Sequence, residues 1–132
     1  MKQIVMRTRY SDISAYRTKD GSQIRELMHP ARHGNRAQSL AEAIVFPGQE
    51  TLLHKHLTSE ELYHVIAGHG LMTLDRERFE VEAGDTVLIV ARAAHCIANI
   101  GSEPLRILCC CSPAYSDEDT VILTGADGAA LA

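Results

Sequence analysis

Turn residues cut the chain into short apolar runs at intervals of roughly 8–12 residues, which leaves little room for helices. Asp20-Gly21-Ser22, Pro47-Gly48, Gly68-His69-Gly70, Ala83-Gly84-Asp85 and Gly101-Ser102-Glu103-Pro104 are the punctuation. Between them, residues 24–28, 40–46, 51–56, 61–66, 71–74, 78–81, 86–90, 95–100 and 105–111 read as strands. Residues 57–60 form a turn, 75–77 the turn of a hairpin, 29–38 a loop and 125–132 a loose tail. No long segment carries a helical period, so the chain is expected to be all-β, a sandwich or a barrel.

At 132 residues, 45% of them hydrophobic, the chain is expected to form one domain with a real core. The formal charge of -4, with no basic patch, argues against nucleic acid. No apolar run approaches the roughly 18 residues of a membrane helix. The opening Met1-Lys2-Gln3-Ile4-Val5-Met6-Arg7 is too charged for a signal peptide, so a cytoplasmic protein is expected. Cys96 and the run Cys109-Cys110-Cys111 do not suit a disulfide framework and read as small buried fillers. Alternation puts Cys109 and Cys111 on one face and Cys110 on the other, with the inward face left open.

The chemistry lies in the segment Gly48-x5-His54-x-His56-x4-Glu61-x6-Gly68. Histidines two apart on a strand point to the same side, and a carboxylate after a tight turn can fold back onto that side. His95, at the start of a later strand, completes a candidate ligand set of His54, His56, Glu61 and His95. Neutral imidazoles with one carboxylate suit a divalent transition metal, whether Fe, Mn, Ni, Co, Cu or Zn. Four protein ligands on a six-coordinate ion leave two positions open for chemistry. Glu60 rivals Glu61. Glu61 is favoured because its choice turns Tyr63 and Val65 inward and leaves Leu62 and His64 outward. His29, His33, His64 and His69 read as surface residues.

These residues resemble the cupin superfamily. Its first motif, G-x5-H-x-H-x3,4-E-x6-G, is matched at Gly48, His54, His56, Glu61 and Gly68. Its second, G-x5-P-x-G-x2-H-x3-N, is matched at Gly84, His95 and Asn99, with Val90 in place of proline and Arg92 in place of glycine. These two departures leave the ligands intact but suggest a different backbone on the approach to His95. The resemblance implies a single-domain jelly-roll barrel, a double-stranded β-helix, with one metal per chain near a mouth. It also implies a division into N-terminal strands and loop at 1–37, barrel at 38–112 and C-terminal extension at 113–132. Members similar to this chain are commonly homodimers in which an N-terminal strand, here 4–6 or 24–28, adds to the partner's sheet.

The side chains alternating with the ligands are expected to line the pocket: Leu52, Tyr63, Val65, Met72, Leu74 and Ile97. Asn99 is expected to fix a turn. Such a lining suits a small oxygenated molecule with a metal-binding oxygen group. The expected chemistry is that of a metal-dependent dioxygenase or lyase, with Glu61 as ligand or base and Tyr63 as hydrogen-bond or proton donor. A non-catalytic metal-dependent binding module and a sugar isomerase or epimerase are the alternatives.

Overall fold

The computed structural model describes residues 5–123, and within them two antiparallel sheets face each other around one core. Eleven strands are present: β1 Tyr16–Arg17, β2 Gln23–Met28, β3 Ser39–Val45, β4 His54–His56, β5 Glu60–Ala67, β6 His69–Leu74, β7 Glu77–Glu82, β8 Thr86–Ile89, β9 His95–Asn99, β10 Leu105–Ser112 and β11 Thr120–Ile122. One sheet runs β1-β2-β3-β10-β5-β8 and the other β11-β4-β9-β6-β7. This is the double-stranded β-helix that the punctuation and motifs anticipate.

The nine expected strands are all present, with their ends moved by a few residues. The largest change is at 51–53, expected to be strand: Leu52 N–H donates to Asp20 O, so this stretch bends toward the turn after β1 before β4 begins. In the expected loop at 29–38, a single helical turn, α1 Pro30–His33, is capped by the His29 ring and has proline in its first turn. β1 and β11 are too short to carry a strand pattern in the sequence. Residues 125–132, read as a tail, and Ile4 of the candidate dimer strand lie outside the described residues. The other candidate, 24–28, pairs with β3 of its own chain.

Alternation divides each strand between core and surface. On β10, Leu105, Ile107, Cys109 and Cys111 point in and Arg106, Leu108 and Cys110 point out, which settles the cysteine register. Met72, Ile97, Leu105, Ile107 and Val65 are almost completely buried, each contributing about 1.5–3 kcal/mol of burial. All four cysteines are free.

Two motif residues act on the backbone. Gly68 turns the corner between β5 and β6 at φ 94°, and a Cβ there would lie 2.8 Å from Leu105 Cα and Pro104 O, so a close approach of chains demands glycine. Asn99 donates to Val45 O and Glu103 O and accepts from Gly101 N–H, clamping the turn before β10.

Arg92 is a correction. It adopts φ 72°, the left-handed conformation that glycine favours. The approach to His95 therefore keeps a glycine-like backbone on an arginine. The turn is held from both sides, by Arg92 N–H donating to His56 O and Ala93 N–H donating to Val90 O.

Candidate metal centre

Strand pairing brings the histidines together. His54 on β4 is the direct cross-strand partner of His95 on β9, and His56 follows on the same face of β4. One ring nitrogen from each of the three lies within 4.8 Å of the other two, and all three residues are buried. Glu61 reaches in from β5 of the opposite sheet: its Oε1 is 3.1 Å from His56 Nε2 and 3.4 Å from His95 Nε2. Glu60, the rival carboxylate, is exposed.

The outer ring nitrogens are all engaged, and this orients the inner ones. His54 Nδ1 meets Leu52 O at 2.7 Å and His95 Nδ1 meets Ala93 O at 3.0 Å. A carbonyl can only accept, so each Nδ1 carries the proton. His56 Nδ1 meets Thr120 Oγ1 at 3.0 Å, and that hydroxyl already donates to Ser116 O, so it too accepts. All three Nε2 atoms therefore face the centre, the arrangement second-shell partners impose on metal-binding imidazoles. His95 Nε2 is fully buried and has no hydrogen-bond partner: with the proton on Nδ1 it can only accept, and so can Glu61 Oε1, 3.4 Å away. An orphaned buried nitrogen is costly, and a cation bound among the three rings and Glu61 satisfies it.

The electrostatics agree. Burial lowers the pKa of His54 to about 4, with the nearby His95 adding to the effect and Asp20 opposing it, so the ring is neutral at pH 7. Burial alone would raise Glu61; the close approach of His56 and His95 outweighs it and holds the carboxylate at about 2. Cys111 Sγ donates to Glu61 Oε2 at 3.3 Å and fixes the second oxygen. Burial, together with the Glu61 charge, pushes the Cys109 and Cys111 thiols up, so they stay protonated and are no rivals as ligands.

A cavity opens beside this cluster. The space open to the centre of a water-sized sphere is about 40 Å³, several times what a single water needs. Tyr63 and Ile97 lie on its wall, as expected from sequence. The Tyr63 ring stands edge-on to His95 with centroids 5.8 Å apart, and burial raises its pKa well above the usual phenol value, so it is a hydrogen-bond donor. Four expected pocket residues are not on the wall. Val65 and Met72 sit in the core beyond it, and Leu74 is half-buried against that core. Leu52 is 45% exposed, because its segment leaves strand geometry and alternation no longer carries it to the His54 side.

The cavity is more polar than the motifs suggest, and the additional residues come from segments outside them. Asp20 Oδ1 accepts from Thr18 Oγ1, Ser22 N–H and Ser22 Oγ, which leaves Oδ2 3.6 Å from His54 Nε2. Glu26 on β2 is 5% exposed and faces the same space. Burial raises its carboxyl pKa, with the nearby His29 and Arg32 opposing this. Tyr115 stands edge-on to His56 at the rim. His64, read as a surface residue, is indeed on the outer face, and His29 instead ties β2 to the C-terminal segment by donating to Tyr115 O at 2.7 Å.

Among known protein families, the cupin domain matches residues 41–111. An uncharacterized protein of Methanocaldococcus jannaschii is 58% identical over 119 residues, spanning 90% of this chain and 95% of its own length. A Streptomyces cyaneus protein described as a polyketide synthase is 31% identical over 110 residues, 82% of this chain and 71% of its own. Among solved structures, the oxalate decarboxylase of Lactobacillus farciminis, in its formate complex, superposes with a TM-score of 0.75 at 26% identity, covering 86% of this chain. The match takes in 34% of that enzyme, so this chain spans about a third of its length.

Proposed function

The chain belongs to the cupin domain family, and from that premise we propose that it is a metal-dependent enzyme acting on a small oxygenated organic molecule. The reaction is of oxygenase or lyase type at a centre held by His54, His56, His95 and Glu61. One observation carries this reading: three imidazoles are locked with their Nε2 atoms inward, and one of those atoms is buried without a partner. The similarity to an oxalate decarboxylase supports a lyase within that range.

A divalent ion bound there would polarise a chelated substrate oxygen, and a redox-active one would add dioxygen chemistry. The chain's own residues do the rest. The buried wall around Ile97 and Ile107 keeps bulk water from the reacting end. Tyr63 retains its proton and is placed to donate a hydrogen bond to charge developing on the substrate. Cys111 holds Glu61 in place. Glu61, low in pKa, remains a carboxylate at neutral pH and serves as ligand, or as base when displaced.

We place the protein in the cytoplasm and as a homodimer. Support for the dimer is a row of exposed apolar side chains across the outer face of the larger sheet, where Leu40, Leu62 and Leu88 align through Cys110. Among the described residues no helix is long and apolar enough to cross a membrane.

The test is elemental analysis of protein purified without a metal-affinity tag, followed by assays of dioxygen uptake and of turnover on diketones, catechols and dicarboxylates. About one iron or manganese per chain with turnover of one class is the expected result. Full metal occupancy with tight ligand binding and no turnover would establish the binding-module alternative instead.

A further inference from the structure

The wall of the cavity away from the histidines carries a buried acid that the metal centre does not use. Glu26 is 5% exposed, lines the cavity and makes no side-chain hydrogen bond among the described residues. His29 Nε2 lies 3.7 Å from Glu26 Oε2 and is already committed to Tyr115 O at 2.7 Å. His29 Nδ1 accepts from Ala31 N–H, so neither ring nitrogen is left to hydrogen-bond Glu26. A carboxyl on a buried residue that opens onto a cavity without a protein hydrogen-bond partner is available to a ligand group.

Register places this acid opposite the metal end. Glu26 pairs with Ala41, Ala41 with Cys109, and Cys109 with Tyr63, so Glu26 and Tyr63 end one row across four strands. Three inter-strand steps separate their backbones by about 14 Å. The row between them is floored by alanine and cysteine, whose small side chains leave the way clear. The adjacent row runs Ser39, Cys111, Glu61 and carries the ligand carboxylate. A molecule held by its oxygens at the metal end would extend along this floor toward Glu26.

Charge decides what the far end of that molecule can be. Among the described residues no arginine or lysine lines the cavity, whereas Asp20, Glu26 and Glu61 all do. A divalent ion is already balanced by Glu61 and Asp20. A second carboxylate on the ligand would therefore meet Glu26 with no lysine or arginine on the wall itself to pair with it. A hydroxyl or amine would instead donate to it and fill its empty acceptor positions.

We infer that Glu26 is a specificity-determining residue, selecting substrates whose end remote from the metal is a hydroxyl or amine over those ending in a second carboxylate. This rests on the metal-centre reading above and narrows its substrate class away from dicarboxylates.

The experiment uses zinc-loaded full-length protein and three probes with the same 2-oxo-acid head. These are 2-oxopentanoate, 5-hydroxy-2-oxopentanoate and 2-oxoglutarate, compared by calorimetry. Wild type is expected to bind the hydroxyl compound about tenfold tighter than the methyl one, the value of one well-made buried hydrogen bond, and 2-oxoglutarate most weakly. Glu26→Ala should erase the hydroxyl's advantage. Glu26→Gln, whose amide can donate, should bind 2-oxoglutarate better than wild type does. Zinc content and circular dichroism of each sample confirm an intact centre and fold. Zinc-replete wild type that binds 2-oxoglutarate as tightly as the hydroxyl compound overturns the inference, as does an unchanged order in both variants. Protein that takes up no zinc overturns the metal-centre reading along with it, and elemental analysis shows that before any probe is added.

Discussion

The two walls of the cavity are finished to different degrees. On the wall built by β4 and β9, each imidazole has its outer nitrogen tied to a carbonyl or to the Thr120 hydroxyl, and only the inward nitrogens remain to be filled. On the wall built by β2, the Glu26 side chain makes no hydrogen bond among the described residues. The first wall is pre-organised for one fixed occupant, a cation, because every ring is held in a single orientation. The second holds a carboxyl that opens onto the cavity without a protein hydrogen-bond partner.

The largest effect expected from this contrast follows removal of an imidazole. His54→Ala or His95→Ala should lower metal affinity by more than about 100-fold, beyond what loss of a supporting residue causes. Chelator competition followed by elemental analysis measures it. Retention of wild-type affinity by both variants would show that the cluster is not the metal site.

Next comes the support behind a ligand. Thr120→Val keeps the shape but removes the acceptor for His56 Nδ1–H, and should cost about 10- to 100-fold in metal affinity. Glu26→Gln, on the other wall, should change metal affinity by less than about threefold, since Glu26 touches none of the four proposed ligands. Equal losses in the two variants would abolish the distinction between the walls.

The walls should also answer pH with opposite signs. His54 falls from 6.5 to about 4 on folding, so below pH 6.5 the unfolded chain binds a proton that the folded chain refuses. Metal-free protein should therefore lose stability as pH drops from 6.5 to about 4. Glu61, held at about 2, extends the loss from 4.5 downward. Glu26 is raised instead, so the folded state binds its proton more tightly and its contribution fades as pH climbs above 4.5. Glu26→Gln should accordingly raise the Tm at pH 7, with the gain vanishing below about pH 4. Thermal melts of metal-free wild type and variant across pH 4–8 check both signs. A fall in wild-type Tm on raising the pH from 4 to 6.5 would contradict the assignment of His54 as a buried neutral ring.

The first wall could be read in the sequence and the second could not. Two histidines two apart, a glutamate and a later histidine form a pattern because strand alternation fixes which side they share. Asp20 sits in an Asp-Gly-Ser turn that looks like any other, and nothing in that tripeptide says the turn folds back over His54. Glu26 alternates correctly in a strand whose sheet and neighbours are set only by pairing with β3. Thr120 belongs to a three-residue strand whose register against β4 decides its contact with His56. Leu52 shows the converse: alternation counted back from His54 fails because the segment is pulled toward Asp20 before the strand begins.

The smallest effect concerns the turn that delivers His95. Arg92 holds φ 72° while its side chain is exposed, so the residue contributes backbone strain and little packing. A left-handed non-glycine residue costs about 1–2 kcal/mol. Glycine would relieve that but returns about 0.4–1 kcal/mol through the greater freedom of its unfolded chain. Arg92→Gly should then stabilise by about 0.5–1 kcal/mol, roughly 2–4 °C in Tm for a domain of this size. Its hydrogen bond from the 92 N–H to His56 O survives the change, so metal affinity should stay at the wild-type level. Arg92→Val, a β-branched residue poorly suited to this conformation, should shift the Tm the other way. If glycine destabilises and valine does not, the turn before His95 is not left-handed, and the path by which the second motif brings its histidine to the other two must be redrawn.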